Sequence, residues 1–230
     1  CMHLSPEFGL TFQRIEDDGF KINKKVECLL SSDTPSAVAK SVGIACISFA
    51  DAYMDLNPDL IILMGDRYEI LAASQVALLM KIRIAHISGG DTTEGAYDEA
   101  IRHSITKMSH IHFVSNKLYK KRVVQLGEQP KTVFNFGTPG LDNIFNLKLL
   151  NKKDFEKSIN FKLSKLNFLV TYHPVTLEEN TSKKQFYEIL KALDNYKNAK
   201  IIFTLPNSDT FGRVVIDLIN KYVHVNKKNC

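Results

Sequence analysis

Two short apolar runs, IILMGDR at residues 61–67 and IAHISGG at 84–90, each stop at small residues and carry an ionisable side chain to the end, Asp66 and His86. Further along, Asp98 and Arg102 stand four apart in DEAIRHS, His110 and His112 flank Ile111, His173 closes LVTYH, and Asn207 and Asp209 lie in the PNSD turn at 206–209. Carboxylates, imidazoles and a guanidinium in such company suit proton transfer. Taken alone, Asp66 reads equally as a helix cap or as the ion-pair partner of Arg67. Asp98 and Arg102 say more: at helical spacing they share a face with the aliphatic Ile101 and Ile105, which would half-bury the pair, and a half-buried charge pair needs a reason to be kept. The glycines of GGD at 89–91 let backbone approach a ligand closely, with Asp91 beside them.

Several chemistries lack their signatures. Histidines 86, 103, 110 and 112 fall within a short stretch, but no HExxH spacing accompanies them, so no metal is expected. GxGxxG, GxxxxGK and GxSxG are absent, which leaves a dinucleotide fingerprint, a phosphate loop and a serine nucleophile unsupported. The four cysteines are dispersed, without the close pairs of a zinc or redox motif; Cys28 and Cys46 read as core residues, Cys1 and Cys230 as chain ends. The formal charge of +5 comes from lysines scattered through stretches such as KLYKKR and NKKDFEK. Aromatic residues are not interleaved with them as a stacking platform would require, so they read as solvated faces rather than a nucleic-acid surface, while the mild positive balance suits an anionic small molecule.

The elements that must position these residues alternate. SSDTPSAVAKSVGIACISFADAYMDL has cap candidates and Pro35 at its start and reads as a long helix. Then follow strand (DLIILMG), helix (YEILAASQVALLM), strand (IRIAHIS), helix (EGAYDEAIRHSITKMSH), strand (IHFVS), helix (NKLYKKRVVQLG), strand (TVFNFG) and a helix after TPGLDN. The first of these strands is a continuous apolar run of the kind buried on both faces. A polar interruption around 148–163 reads as a linker, after which LNFLVTYH, KKQFYEILKALDNY, AKIIFTLP and GRVVIDLINKYV resume the alternation. This order predicts parallel sheets in two α/β domains, residues 1–150 and 151–230. Ligands of such sheets sit beyond the carboxyl ends of the strands, which is where Asp66, His86, His173 and the PNSD turn fall. No run approaches the eighteen or so uninterrupted apolar residues of a membrane span, and no signal-like series opens the chain. The expectation is a cytoplasmic protein without membrane or nucleic-acid partners.

LMGDRYEILAA, HISGGDTTEGAYDEAIRHSITKMSHIHF, VFNFGTPGLDNI, LVTYHPVT and IIFTLPNSDT together resemble the hydrolysing UDP-N-acetylglucosamine 2-epimerases of bacterial sialic acid synthesis and, equally, their sisters acting on UDP-N,N'-diacetylbacillosamine in legionaminic acid synthesis. The resemblance runs over nearly the whole chain in family order. It implies a GT-B fold of two Rossmann-like domains, a UDP-sugar substrate, no nicotinamide cofactor or metal, and a homodimer. It also implies that the chain starts after the family's first strand and stops before a UDP-gripping loop, so that the first domain lacks its initial strand and the second is incomplete. By motif match Asp66 and Asp98 fall on the acidic catalytic positions, Arg102 on the arginine that accompanies the second, and His173 on a histidine near the leaving diphosphate. His86, His110 and His112 match supporting histidines, and His3 in HLSPEFG is the most reactive candidate for the sugar-pocket wall.

The implied reaction eliminates UDP and then adds water across the resulting double bond. The hydrogen at sugar C2 is barely acidic until UDP begins to leave C1 and an oxocarbenium-like centre develops, which calls for nearby negative charge, one group to take the C2 proton and another to return one. One departure stands out: many relatives carry a glutamate where this chain has Ser88, so Asp91 or Glu94 is the candidate replacement. A GT-B glycosyltransferase, which would need an acceptor, and a non-catalytic nucleotide-sugar-binding fragment are the competing expectations.

Overall fold

The alternation folds into two parallel sheets, one in each of two units, Cys1–Asp142 and Asn143–Cys230. The computed structural model describes residues 2–230, so Cys1 lies outside the described residues.

In the first unit, α1 (Phe12–Asp17) and two 3-10 turns precede α2 (Pro35–Leu56). The side chain of Thr34 caps α2 by accepting from the Ala37 amide, Pro35 occupies the first turn, and Asn57 ends the helix in the left-handed region at φ 43°. By length and hydropathy α2 would reach across a bilayer. One side of it packs on the core, Ala45 beside Ala72 and Tyr53 in the main cluster, while Ile47 and Met54 are exposed. Then come β1 (Leu60–Met64), α3 (Tyr68–Leu79), β2 (Arg83–Ile87), α4 (Asp98–Met108), β3 (Ile111–Val114), α5 (Lys117–Gln125), β4 (Val133–Asn135) and α6 (Pro139–Asn146), which runs across the boundary between the units.

The strands pair in the order β1-β2-β3-β4, every pair parallel. Sequential order with crossovers of one hand puts the connecting helices on one face. Leu63 and Ile84 pack there with Ala73, Val76, Ala77 and Ile105, while Val114 and Val133 meet Val123 of α5. The opposite face corrects one expectation. β1 is not buried on both sides: Ile62 is 65% and Met64 55% exposed, and in β3 and β4 the rings of Phe113 and Phe134 stack beside the exposed Phe136. A run apolar at every position hides its own alternation, so its composition cannot reveal that Ile62 and Met64 face outward.

In the second unit α7 (Lys152–Ser158) occupies part of the stretch expected as linker. β5 (Asn167–Val170) pairs in parallel with β6 (Lys200–Phe203), and α8 (Ser182–Leu193) and α9 (Gly212–Val225) complete the unit. Phe186, Leu190, Ile201, Val215 and Ile219 form its core.

The two faces of β1 give a direct test. Leu63→Ala should cost about 2–5 kcal/mol by opening a cavity under α3, whereas Ile62→Ala, next to it in sequence, should cost under about 1 kcal/mol. Urea unfolding of the two variants checks this, and equal losses would contradict the assignment of faces.

Candidate functional site

Site residues in the first unit gather where β1 and β2 end. β1 stops at Met64, Gly65 turns the chain at φ +83°, Asp66 follows, and Arg67 precedes the first turn of α3. Arg67 pairs with Glu69, Nε to Oε2 at 3.1 Å. The cation on Asp66 is Arg102, whose Nη2 donates to Oδ2 of Asp66 and, at 3.0 Å, to the Thr93 hydroxyl. Its side chain is only 7% exposed, and its Nε and Nη1 are buried without a hydrogen-bond partner. Burial lowers the Arg102 pKa from its ordinary value. Asp98 opens α4 and lies one turn before Arg102, on the same helical face. The guanidinium thus draws the tip of β1 onto the helix that carries the second aspartate.

After β2, Ser88 sits in the left-handed region at φ +69°, which is uncommon for a side-chain-bearing residue. Gly90 follows at φ +84°, where a β-carbon would come within 2.6 Å of the Tyr119 carbonyl, so only glycine fits. Arg122 of α5 donates to the Gly90 carbonyl and holds this turn down. Asp91 is partly buried, and that burial raises its pKa against the opposing influence of a Ser115 hydrogen bond and Arg122. Glu94 is exposed.

The histidines divide. His86 and His112 are fully buried and occupy paired positions in β2 and β3. His86 bonds the Gly65 carbonyl through Nε2 at 2.8 Å and Thr106 Oγ1 through Nδ1 at 3.2 Å. Burial pushes its pKa down to about 4. His112 Nε2 donates to Glu128, 3.2 Å away, which also takes Lys107 at 2.5 Å. Burial is again the main cause of its lowered pKa. His110 precedes β3, at the end opposite the strand tips, and its Nδ1 accepts from the Ile84 amide at 3.2 Å. These three rings lie within or below the sheet rather than over its tips. His3 is exposed in a 3-10 turn and meets the Thr11 hydroxyl at 2.7 Å.

In the second unit His173 follows β5 and its Nδ1 lies 3.2 Å from Oδ1 of Asn207, which follows β6. The amide oxygen only accepts, so Nδ1 carries the proton and Nε2 is left for a ligand. Gly212 permits the turn holding Asn207 and Asp209, because a β-carbon there would stand 2.7 Å from the Asn207 carbonyl. His173 is exposed, and Asn207 and Asp209 are half-buried.

Sequence reasoning missed Thr93, Thr106, Arg122 and Glu128. Thr106 had a signal, one turn beyond Arg102 on the face of Asp98; Thr93 lies nine residues before Arg102 in the loop ahead of α4, outside helical spacing, and Arg122 and Glu128 come from later segments that carry no signal.

The family model described as UDP-N-acetylglucosamine 2-epimerase matches residues 1–228. The chain is 48% identical over 97% of its length to the GDP/UDP-N,N'-diacetylbacillosamine 2-epimerase (hydrolyzing) of Campylobacter jejuni, and 36% identical over 96% to the UDP-N,N'-diacetylbacillosamine 2-epimerase (hydrolyzing) of Legionella pneumophila. It spans 58% of the length of each of these relatives. The crystal structure of UDP-GlcNAc 2-epimerase from Neisseria meningitidis bound to UDP-GlcNAc superposes with a TM-score of 0.73 at 21% identity, over 94% of this chain and 59% of that one. The fold is of that GT-B type, with two Rossmann-like parallel-sheet units.

The buried histidines set a pH dependence of stability. A folded-state pKa of about 4 for His86 lies below its ordinary 6.5, so the unfolded chain binds the proton more readily and stability falls as pH drops from 6.5 towards 4. Over pH 6.5 to 5, above most carboxylate titration, His86 should account for about 2 kcal/mol. Urea unfolding at the two pH values measures this, and His86→Gln should remove most of the slope. A slope unchanged in the variant would assign it elsewhere.

Proposed function

Because the chain belongs to the UDP-N-acetylglucosamine 2-epimerase family, we propose that it serves the hydrolysing reaction of a UDP-linked 2-acetamido sugar. In this reading UDP leaves C1 as the C2 proton is removed, forming a C1–C2 double bond. Water then adds oxygen to C1 and a proton to the opposite face of C2, so UDP-sugar plus water become UDP plus the free C2 epimer.

The observation that carries the reading is the charge pairing of Asp66 with Arg102 at the tip of β1, on the helix opened by Asp98. Asp66 supplies fixed negative charge for a cationic centre developing at C1, and the two aspartates share the proton transfers at C2. Arg102 holds their relative placement. His173, oriented by Asn207, donates to the departing diphosphate, with Asp209 in the same turn. His3 contributes to the wall around the sugar, and Asp91 supplies the charge that Ser88 lacks. No cofactor or metal takes part, and the working form is a cytoplasmic homodimer.

As substrate we favour UDP-N,N'-diacetylbacillosamine over UDP-N-acetylglucosamine, because the relatives at 48% and 36% identity bear that name, although one at 39% is named for polysialic acid biosynthesis. The family match weighs against transfer to a sugar acceptor. The 58% span favours a second reading, nucleotide-sugar binding by this chain without turnover.

Proton NMR in deuterated buffer with each UDP-sugar tests the proposal. UDP release with a free manno-configured sugar deuterated at C2 is expected, faster with the diacetyl substrate. Asp98→Asn should lower turnover at least a hundredfold while sparing most binding; activity within tenfold of wild type would remove Asp98 from proton transfer. Binding of UDP-sugar without product would support the second reading.

A further inference from the structure

His86 is fully buried, and both its ring nitrogens bond groups on neighbouring elements that carry the site. We propose that His86 is a positioning residue which, by bonding the Gly65 carbonyl on one side and Thr106 on the other, locks the tip of β1 to α4 and so sets Asp66 against Arg102. The proposal depends on the preceding functional reading only for its activity measurement.

The restraint on Asp66 is tight because both backbone groups of the residue before it are held by β2. The Gly65 amide donates to the Ile87 carbonyl at 3.1 Å, and the Gly65 carbonyl accepts from His86 Nε2 at 2.8 Å. At φ +83° this peptide has turned out of the strand conformation, and the imidazole replaces the partner a neighbouring strand would offer. On the other side Thr106 lies one turn beyond Arg102 on α4, so the ring reaches the same helix as the guanidinium. Gly89 leaves room for this contact: a β-carbon there would come within 3.0 Å of Thr106 Oγ1 and 3.3 Å of His86 Nδ1.

Hydrogen-bond logic fixes the ring's protons. A carbonyl only accepts, so Nε2 bears hydrogen. A neutral ring then offers a lone pair at Nδ1, 3.2 Å from Thr106 Oγ1, and the Thr106 hydroxyl shares its one proton between that lone pair and the Arg102 carbonyl at 3.0 Å, to which it would donate alone if His86 were charged. Enclosure of the ring, with His112 adding a smaller influence in the same direction, selects the neutral form. His86 therefore holds geometry without adding charge beneath Asp66 and without exchanging protons with a substrate.

Two conservative changes separate this role from mere core filling. His86→Gln keeps an N–H donor at similar reach, whereas His86→Phe keeps ring volume and removes it. In the full 230-residue chain, long-range proton–nitrogen NMR of labelled histidine should show the Nε2–H tautomer unchanged from pH 8 to 5. His86→Phe should shift the Asp66 amide and abolish slowly rotating Arg102 guanidinium signals; His86→Gln should retain both. In the NMR assay with UDP-sugar, kcat should fall at least a hundredfold in the Phe variant with KM within threefold, and recover to within tenfold in the Gln variant. An Nδ1–H tautomer, or Asp66 and Arg102 signals indifferent to both substitutions, would overturn the proposal. Should the Phe variant fail to fold, Thr106→Val removes the other end of the link, and retention of native Arg102 signals there would overturn it equally. If the wild-type chain turns over neither UDP-sugar, the functional reading fails and the spectroscopic comparison still decides the role of His86.

Discussion

The buried ion pair between Arg102 and Asp66 is the constraint on which the first unit's site depends. A guanidinium enclosed to this degree loses most of its hydration, and attraction to one carboxylate does not by itself make such burial favourable. Its other N–H groups normally need partners too, yet Nε and Nη1 have none. A side chain kept under these conditions is expensive as a piece of scaffold and valuable as a fixed electrostatic element. The pair holds a helix start and a strand tip together, and leaves unspent hydrogen-bonding capacity beside the two aspartates.

Beneath this pair the protein arranges polar groups that add no charge. His86 and His112 occupy adjacent strand positions, fully enclosed, with burial favouring their neutral forms. Neutral imidazoles give direction, His86 through both ring nitrogens and His112 through Nε2, without competing with Arg102 for the carboxylate. The layering is consistent: full charge at the tips, dipoles below, aliphatic side chains below those. Glycines at 65, 89 and 90 recur wherever backbone must turn or approach closely, and the adjoining Ser88 accepts a left-handed conformation.

All six strands coincide with apolar runs visible in the amino-acid order, and the placement of Asp66 and His173 beyond strand ends follows from that pattern alone. The partner of Asp66 does not. Spacing shows Arg102 sharing a face with Asp98, because helical periodicity reports neighbours within one element, whereas Asp66 lies 36 residues away and meets it only through the sheet. The histidines show the same limit: His110 and His112 are two residues apart in sequence, yet one ring lies at the amino end of β3 and the other is sealed in the interior against Glu128. The short helix α7 is weakly periodic and falls within the stretch that reads as a linker, and the outward exposure of Ile62 and Met64 is invisible in a strand apolar on both sides.

The strand order of the first unit also has a temporal meaning. Because β1, β2, β3 and β4 lie side by side in the order in which they occur along the chain, each new strand finds its neighbour already made. No strand waits for a segment synthesised much later, and each closure spans one intervening helix, which keeps contacts local and assembly fast. The Arg102–Asp66 link closes a loop of 36 residues between two such neighbours. A ribosome that has released the chain through α4 has therefore already delivered both aspartates, their arginine and the imidazole beneath them, and the electrostatic centre can form while the second unit is still being made.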